Sequence, residues 1–443
     1  MSRGPCFEDP VALGDEHYVT RGLPPVAGVL KRFDEDFLVD EQPLYQPSGE
    51  GEHIYLLVEK QGLSTSEMVR IVADHFRVRE SDVGFAGMKD KHAITRQVVS
   101  VHTPGKTDED FPMLEHPSVR VLWADLHTNK LRVGHLRANR FSVRLRDADP
   151  HGVVTVKRAL DTLARTGVPN YYGEQRFGAR LNNHELGMLL LTRRYKELLD
   201  AFLGPDAQAD RFNDREGREL YAKGDYDGAL ACTHEGMRNE RAALKALAKG
   251  ADHEDAVFHV PRLQRRFWIS AFQSWLFNRF VADRVASGTF DTLREGDVAC
   301  RVPSGRPFLI DRATAEDPET KGRLDAFELS CAGPMFGAKM QPASHECAAY
   351  ESALLASTGV TIEDIAEFDE EQGGAAGTRR AVRVPLTDPE VEGGVDEHGG
   401  YIRVAFELPP GSFATVVVRE ITKAHPAPGA ARARAGDADT GDV

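Results

Sequence analysis

The chain has 443 residues, 41% hydrophobic and 28% charged, enough apolar material for two or three domains and too much for wholesale disorder. Its 69 acids against 55 bases leave a formal net charge of −14, which argues against a broadly basic nucleic-acid-binding surface and leaves only local patches for that task. Cys6, Cys232, Cys300, Cys331 and Cys347 are too scattered for a C-x-x-C metal site or a disulfide framework, and no run reaches the ~20 apolar residues of a membrane span. The first 18 residues carry Glu8, Asp9, Asp15 and Glu16 and lack the apolar centre of a signal peptide. A cytoplasmic setting with reduced thiols is therefore expected. Lysine is scarce, 14 against 41 arginines, and an acidic, arginine-rich balance is what a salty cytoplasm selects, so a haloarchaeal origin is also expected.

In chain order, residues 54–58 read as a strand, and Ser64 with Glu67 forms a capping box opening a helix through Phe76. Met68, Ile71, Val72 and Phe76 share one face of that helix. Strands are predicted around Val83 and over 94–101, 119–126 and 141–145, then a helix over 153–165 stopped by Gly167 and Pro169. Between Glu185 and Gly250, Leu, Ala, Arg and Glu recur at helical spacing, and a long amphipathic helix over 263–287 ends at Gly288. Residues 298–310 and 336–340 read as short strands and turns, and the chain is expected to return to the first sheet near 379–385. The acidic stretch 388–400 reads as a linker, 401–408 and 414–421 as the last strands, and the Ala/Pro/Gly/Asp-rich tail 424–443 as disordered. Strands outnumber helices in the first part, which makes it an α+β sheet domain.

The segment with the most chemistry is Gly87-Met88-Lys89-Asp90-Lys91-His92-Ala93-Ile94-Thr95-Arg96-Gln97. It sets one carboxylate at a glycine-flanked bend between two apolar runs. With Lys89, Lys91 and Arg96 close by in sequence, Asp90 would stay ionised at neutral pH, which suits a nucleophile or charge stabiliser better than a proton donor. On pattern alone a Lys-Asp-Lys turn at a strand end is a solvated bend.

The segment resembles the nucleophile motif of the TruD family of tRNA pseudouridine synthases, and the likeness recurs in order along the chain. Lys31 followed by Glu35-Asp36-Phe37-Leu38-Val39 resembles the family's opening motif, and Asn139-Arg140-Phe141, after Lys130-Leu131-Arg132-Val133-Gly134, its second active-site motif. Gly167-Val168-Pro169-Asn170-Tyr171-Tyr172-Gly173-Glu174-Gln175-Arg176-Phe177-Gly178 and Ile269-Ser270-Ala271-Phe272-Gln273-Ser274-Trp275-Leu276-Phe277-Asn278 are similar to two further hallmarks. Leu408-Pro409-Pro410-Gly411-Ser412-Phe413-Ala414-Thr415, ending in Arg419-Glu420, is similar to the closing element.

The resemblance implies an α+β fold: a pseudouridine-synthase-type catalytic domain with a mixed, largely antiparallel sheet over 1–172 and 379–443, carrying an inserted α+β TRUD domain over 173–378. It implies conversion of uridine to pseudouridine in tRNA at nucleotide 13, with Asp90 as nucleophile and Lys31 as its ion-pair partner. Phe37 and Phe141 would stack on the extruded uracil, Asn139 would bond its edge and Phe413 would close the pocket wall. For the aromatics the plain alternative is core packing, and for Asn139 a turn. Arg176, Arg180 and Arg419 are candidate phosphate contacts, and His92 reads as a turn residue. Isomerisation gains and loses no atoms, so neither a metal nor another cofactor is expected; the partner is tRNA, no membrane is involved, and a monomer is favoured. Phenylalanine at 141, where most pseudouridine synthases have tyrosine, leaves removal of the C5 proton to water or to Asp90. Two rival readings remain open: a non-catalytic RNA-binding protein on the same scaffold, and a two-carboxylate glycoside hydrolase, which would need Asp82 or Asp36 as a second acid.

Overall fold

β-Branched and aromatic residues in alternation form the strands of the first part of the chain. In the computed structural model, which describes residues 14–205, 215–302 and 304–423, these are β1 (Val29–Leu30), β2 (Phe37–Pro43), β3 (His53–Gln61), β4 (Val83–Phe85), β5 (Ile94–His102), β6 (Val119–His127) and β7 (Leu136–Arg146). Helix α1 (Thr65–Phe76) starts at the expected capping box: Glu67 N donates to Ser64 Oγ at 3.2 Å, and Ser64 N to Glu67 Oε2 at 2.6 Å. Helix α2 (Val153–Thr166) stops at Gly167, whose φ of +92° suits a residue without a β-carbon. Cys6 and the tail 424–443 lie outside the described residues.

The next stretch is mostly helical. It runs β8 (Val168–Pro169), α3 (Asn183–Leu191), α4 (Tyr195–Leu203), α5 (Arg215–Ala222), α6 (Tyr226–Cys232), α7 (Arg238–Ala248), α8 (His253–His259) and α9 (Arg262–Ala286). After these come β9 (Val298–Arg301), β10 (Pro307–Leu309), α10 (Arg312–Glu316), α11 (Pro318–Asp325), β11 (Leu329–Met335), α12 (His345–Ala356), α13 (Ile362–Gln372), β12 (Thr378–Ala381) and β13 (Arg383–Val384). Trp268, Ile269, Phe272, Leu276 and Phe277 bury α9 on nearly every side, so it is the spine of this part. Helix α3 crosses it closely because a β-carbon on Gly187 would stand 2.2 Å from the Trp268 carbonyl oxygen. A four-stranded antiparallel sheet, β10-β9-β11-β12, packs on α9 through β11. The chain closes with β14 (Thr387–Asp396), β15 (Gly399–Leu408) and α14 (Ala414–Thr422).

The described chain divides into two compact units, one of residues Val19–Val168 with 384–423, the other of 14–18 with Pro169–Arg383. The expected divisions stood at 172/173 and 378/379. Residues 379–381 do not rejoin the first sheet, because β12 pairs with β11; the chain re-enters that sheet at β14.

The first unit is built on a mixed sheet of nine described strands with the spine β14-β15-β7-β2-β5-β3-β6; β1 is added to β7 and β4 to β5. Only the β2–β5 pairing is parallel among the registers described. Side chains alternate across each strand, so register assigns the faces. Phe37, Val39 and Glu41 of β2 share one face with Leu56, Val58 and Lys60 of β3, Thr95, Gln97 and Val99 of β5, and Asn139, Phe141 and Val143 of β7. Helix α1 covers part of this inner face, its Met68, Val72 and Phe76 packing with Ile54, Leu56, Val58 and Val99. The outer face carries a charged ladder across four strands: Arg96 pairs with Asp40 at 3.4 Å and with Glu59 at 2.8 Å, and Arg120 with Glu59 at 2.9 Å.

Two expectations are corrected here. Residues 414–421 form α14, not a strand. Every residue of α14 except Thr415 is buried, so no two-residue alternation exists to separate strand from buried helix, and the valine run misleads. Residues 388–400 are not a linker but the hairpin of β14 and the start of β15. As an edge strand β14 is largely exposed, and its Glu390, Glu392 and Asp396 face Arg140, Arg403 and Arg146 instead of a core. Among the described residues no helix is long and apolar enough to cross a membrane.

Arg146 ties this sheet together from within: its Nε donates to Asp36 Oδ1 at 2.7 Å and its Nη1 to Asp396 Oδ2 at 2.6 Å, with the Arg146 and Asp36 side chains buried. Arg146→Met is expected to cost about 3–5 kcal/mol, because it leaves the Asp36 carboxylate buried without its counter-charge. Urea unfolding of the full chain measures this, and a loss below about 1 kcal/mol would show that the carboxylate is solvated.

Candidate active site

Strand β5 fixes where the site lies. β3 pairs with it along its whole length and fills one edge. The other edge is divided: β2 runs beside residues 94–96 and β4 beside residues 99–101. The chain leaving β4 cannot continue along β5, because β2 is already there, and residues 86–93 form a loop over the inner face. At the junction the Val98 amide is met by Glu41 Oε1 at 3.2 Å instead of by a strand carbonyl.

Side chains from four neighbouring elements hold the loop. Gln97 Nε2 donates to Gly87 O at 3.3 Å, and Lys89 N donates to Thr65 Oγ1 at the start of α1 at 2.9 Å. Lys89 Nζ meets Glu41 Oε2 at 2.5 Å in a pair buried at both ends. Lys60 Nζ donates to the Asp90 carbonyl oxygen at 2.8 Å and to Leu63 O at 2.5 Å. Burial pushes the Lys60 ammonium down to about 8, with Asp90 pulling it back up and Lys89 pushing it further down.

The Asp90 carboxylate is left 30% exposed, with Lys31 Nζ 3.2 Å from its Oδ2. Lys31 reaches it from the end of β1 with a left-handed φ of +54°, and its ammonium also stands 4.1 Å above the Phe37 ring. The cations next to Asp90 in sequence turn elsewhere, which corrects the expectation built on them: Lys89 goes to Glu41, Lys91 to Glu67 at 3.8 Å, and Arg96 to Glu59 and Asp40. His92 is exposed. Asp34, in the turn before β2, is raised by its own burial and pulled back by His92, Lys31 and Lys60.

An aromatic floor extends from this carboxylate along the inner face. The Phe37 and Phe141 centroids lie 6.1 Å apart, edge to face, and Phe141 and Phe406 lie 5.8 Å apart. Phe37 is 1% exposed and lies under Lys31, so it is a platform for the ammonium and not an open stacking face, which corrects its expected part. Asn139 stands one alternation along β7 from Phe141, opposite Glu41 and Leu408. Its Oδ1 is buried with no hydrogen-bond partner among the described residues. Phe413 is the N-cap residue of α14, reached by the turn that leaves β15 at Leu408 beside Asn139. Lys31, Asp90, Phe37, Phe141 and Asn139 are thus brought to one face of one unit.

The arginines behave differently. Arg180 donates to the carbonyls of Ala201, Phe202 and Gly204, capping the end of α4, and Arg419 is buried in α14, so neither is free to meet phosphate. Arg176 lies over the Tyr172 and Phe267 rings at 5.1 and 5.6 Å. The glycoside-hydrolase reading loses both of its second acids, since Asp36 is locked to Arg146 and Asp82 bonds Arg79 at 3.1 Å. Among the described residues no cluster of three or more His, Cys, Asp or Glu side chains could hold a metal ion. Sequence reasoning missed Lys60 and Glu41. Each continues a buried two-residue stripe, Ile54-Leu56-Val58-Lys60 and Phe37-Val39-Glu41, and a charge at the end of such a stripe was the available signal.

The family model described as tRNA pseudouridine synthase D (TruD) matches residues 12–421. Among curated relatives, tRNA pseudouridine synthase D of Geobacter metallireducens is 40% identical over 413 residues, covering 93% of this chain and 98% of that protein. Its counterpart in Geobacter sulfurreducens is 41% identical over 412 residues, covering 92% and 97%. A crystal structure described as a tRNA pseudouridine synthase D from Methanosarcina mazei superposes with a TM-score of 0.78 over 92% of this chain and 96% of that one; at 24% identity this is a likeness of fold. Both of these sequence relatives are bacterial, and nothing in the comparisons supports a haloarchaeal origin. The acids behind that expectation are in part taken up by local pairing, as in Arg403–Glu392 and Arg140–Glu390, both at 2.6 Å, which needs no molar salt.

The Glu41–Lys89 pair makes a stability test of the loop. Glu41→Gln keeps an acceptor for the Val98 amide but strands a buried ammonium, and is expected to cost about 3 kcal/mol or more. Adding Lys89→Met removes that ammonium and should bring stability back to within about 1 kcal/mol of the parent chain. Urea unfolding of the three proteins measures the coupling, and additive losses would mean the pair is solvated.

Proposed function

The chain belongs to the tRNA pseudouridine synthase D (TruD) family and is a tRNA pseudouridine synthase, an isomerase; from that premise we propose that it acts on the uridine at nucleotide 13 of the tRNA D-arm, with Asp90 as nucleophile and without a cofactor. The observation that carries the reading is the Lys31–Asp90 pair at 3.2 Å, partly exposed to solvent above an aromatic floor. A nucleophilic carboxylate has to be ionised and reachable, and an ammonium at that distance favours the ionised form while the exposed part of the side chain admits a substrate.

In this reading the target nucleotide leaves the helical stack and enters over the inner face of the first unit, the catalytic one, with the second unit as the inserted TRUD domain. Asp90 adds to the nucleotide at C1′ or at C6 of the base. The N1–C1′ bond breaks, the base turns while held, and C5 joins C1′; the bond to Asp90 breaks in the same passage, its electron pair returning to the carboxylate, the C5 proton leaves and N1 ends protonated, so the formula is unchanged and the free enzyme is restored. Asn139 Oδ1, buried without a partner among the described residues, suits the N3–H donor of uracil, and the same amide offers N–H groups to a uracil carbonyl. Phe141 supplies the stacking edge, a contact worth about 1–3 kcal/mol per base. A phenyl ring has no proton to exchange, so the C5 proton passes to water or to Asp90. The enzyme works in the cytoplasm, as a monomer, on folded tRNA.

Asp90→Asn is expected to lower tritium release from tRNA carrying 5-tritiated uridine by on the order of 10³-fold or more, while tRNA affinity stays within about threefold. Undiminished release would remove Asp90 from the mechanism. Mapping the modified nucleotide in the product tests the position, and pseudouridine elsewhere in the tRNA would replace nucleotide 13.

A further inference from the structure

We propose that Lys60 is a positioning residue for the isomerisation: its ammonium pins the main chain of Asp90 to the turn that opens α1 and so sets where the carboxylate meets the nucleotide. The proposal rests on Asp90 as the nucleophile. Lys60 belongs to β3, not to the Asp90 loop, and lies fully buried on the inner face opposite Thr95. Its Nζ binds carbonyl oxygens of two separate segments, Leu63 O one residue before the N-cap of α1 and Asp90 O in the loop. A second strut joins the same two segments, since Lys89 N donates to Thr65 Oγ1. Residues 89 and 90 are thereby tied to the first turn of α1, and the Glu41–Lys89 pair holds the loop against β2.

The energetics argue that this lysine is there for its ammonium. Ile54, Leu56 and Val58, the earlier members of its stripe, are apolar and buried, and an apolar side chain at 60 would fill the same space without desolvating a charge. Four charged groups bear on it: Asp90 in the loop, Glu67 in α1 and Asp34 before β2 favour the ammonium, and Lys89 opposes it. Burial outweighs the favourable three, and the group gives up its proton near pH 8, far below an exposed lysine. Below that pH the ammonium adds a positive charge at the Asp90 main chain, in addition to the one Lys31 sets at its carboxylate. Above it the charge is lost.

Steady-state kinetics of the full chain with tRNA between pH 6 and 9.5 test the proposal. Lys60→Met should lower kcat by roughly 30- to 100-fold, as expected of a displaced reacting group, with KM changed less than about threefold. The parent enzyme's kcat should fall as pH rises through about 8, and that alkaline limb should vanish in Lys60→Met. A variant kcat within about twofold of the parent, an effect confined to KM, or an alkaline limb shared by both proteins would overturn the proposal. If thermal unfolding shows that Lys60→Met does not fold, the parent profile decides, and a flat kcat from pH 7 to 9.5 counts against it. Failure of this inference alone would show as normal turnover by Lys60→Met beside an inert Asp90→Asn; turnover by Asp90→Asn would overturn the Asp90 reading and this inference together.

Discussion

A strand has two edges, and β5 must satisfy three partners. β3 takes one edge along all nine residues, and β2 and β4 divide the other, parallel at one end and antiparallel at the other. Two chains cannot occupy one edge, so the segment that leaves β4 is forced off the sheet, carrying Asp90 over the inner face. Once off the sheet its backbone groups have no ladder, and each needs a partner of another kind. Lys60 meets the Asp90 carbonyl, Thr65 the Lys89 amide and Gln97 the Gly87 carbonyl, and Glu41 satisfies the Val98 amide that the departing chain leaves behind. The polar residues buried beneath the loop are therefore consequences of the strand arrangement, and the loop's rigidity is a consequence of them.

The division of labour between lysine and arginine follows from the same geometry. Only 14 of the chain's residues are lysine, yet Lys31, Lys60, Lys89 and Lys91 all serve this one loop or its carboxylate. An ammonium is a compact point charge with three freely turning donors, so it can bridge two carbonyls of different direction as Lys60 does. A guanidinium is a planar fork that matches carboxylates, and two of the buried arginines are used that way: Arg146 spans Asp36 and Asp396, and Arg379 grips both oxygens of Glu351 at 2.6 and 2.8 Å. The net charge of −14 is thus a poor guide to the site, where Lys31 faces the Asp90 carboxylate and three further lysines hold the loop that carries it.

The strands of the first unit were legible because their alternation survives half-burial, and α1 because Ser64 and Glu67 announce its start. Helix α14 was not legible: burial on all sides erases periodicity, and Val416-Val417-Val418 looks like a strand in isolation. β14 failed for the opposite reason, since an edge strand that neutralises its acids with arginines across the ladder shows no apolar alternation at all. Within the site, Lys31, Asp90, Asn139 and Phe141 were named from motif likeness, while the electrostatic argument offered for Asp90 from its sequence neighbours was wrong. Lys89, Lys91 and Arg96 are near it along the chain and committed elsewhere in space. What surrounds the carboxylate is set by β1 and β3, 59 and 30 residues away, and no local window contains that information.

The backbone at Lys31 is bent into the left-handed region. A φ of +54° crowds the β-carbon, and for residues other than glycine that conformation costs roughly 1–2 kcal/mol. Glycine would remove the strain, but it would also remove the ammonium that faces Asp90 and covers Phe37. Leu30, just before it, is fixed against Leu145 in the sheet, and the turn Asp34–Asp36, just after it, is anchored by the buried Asp36–Arg146 pair. The chain between these anchors has few ways to aim a side chain at the loop, and the left-handed bend is the one it takes. Strain held between two rigid anchors, at a residue whose side chain meets the reactive carboxylate, is what a site looks like when the surrounding structure determines its geometry in advance of the substrate.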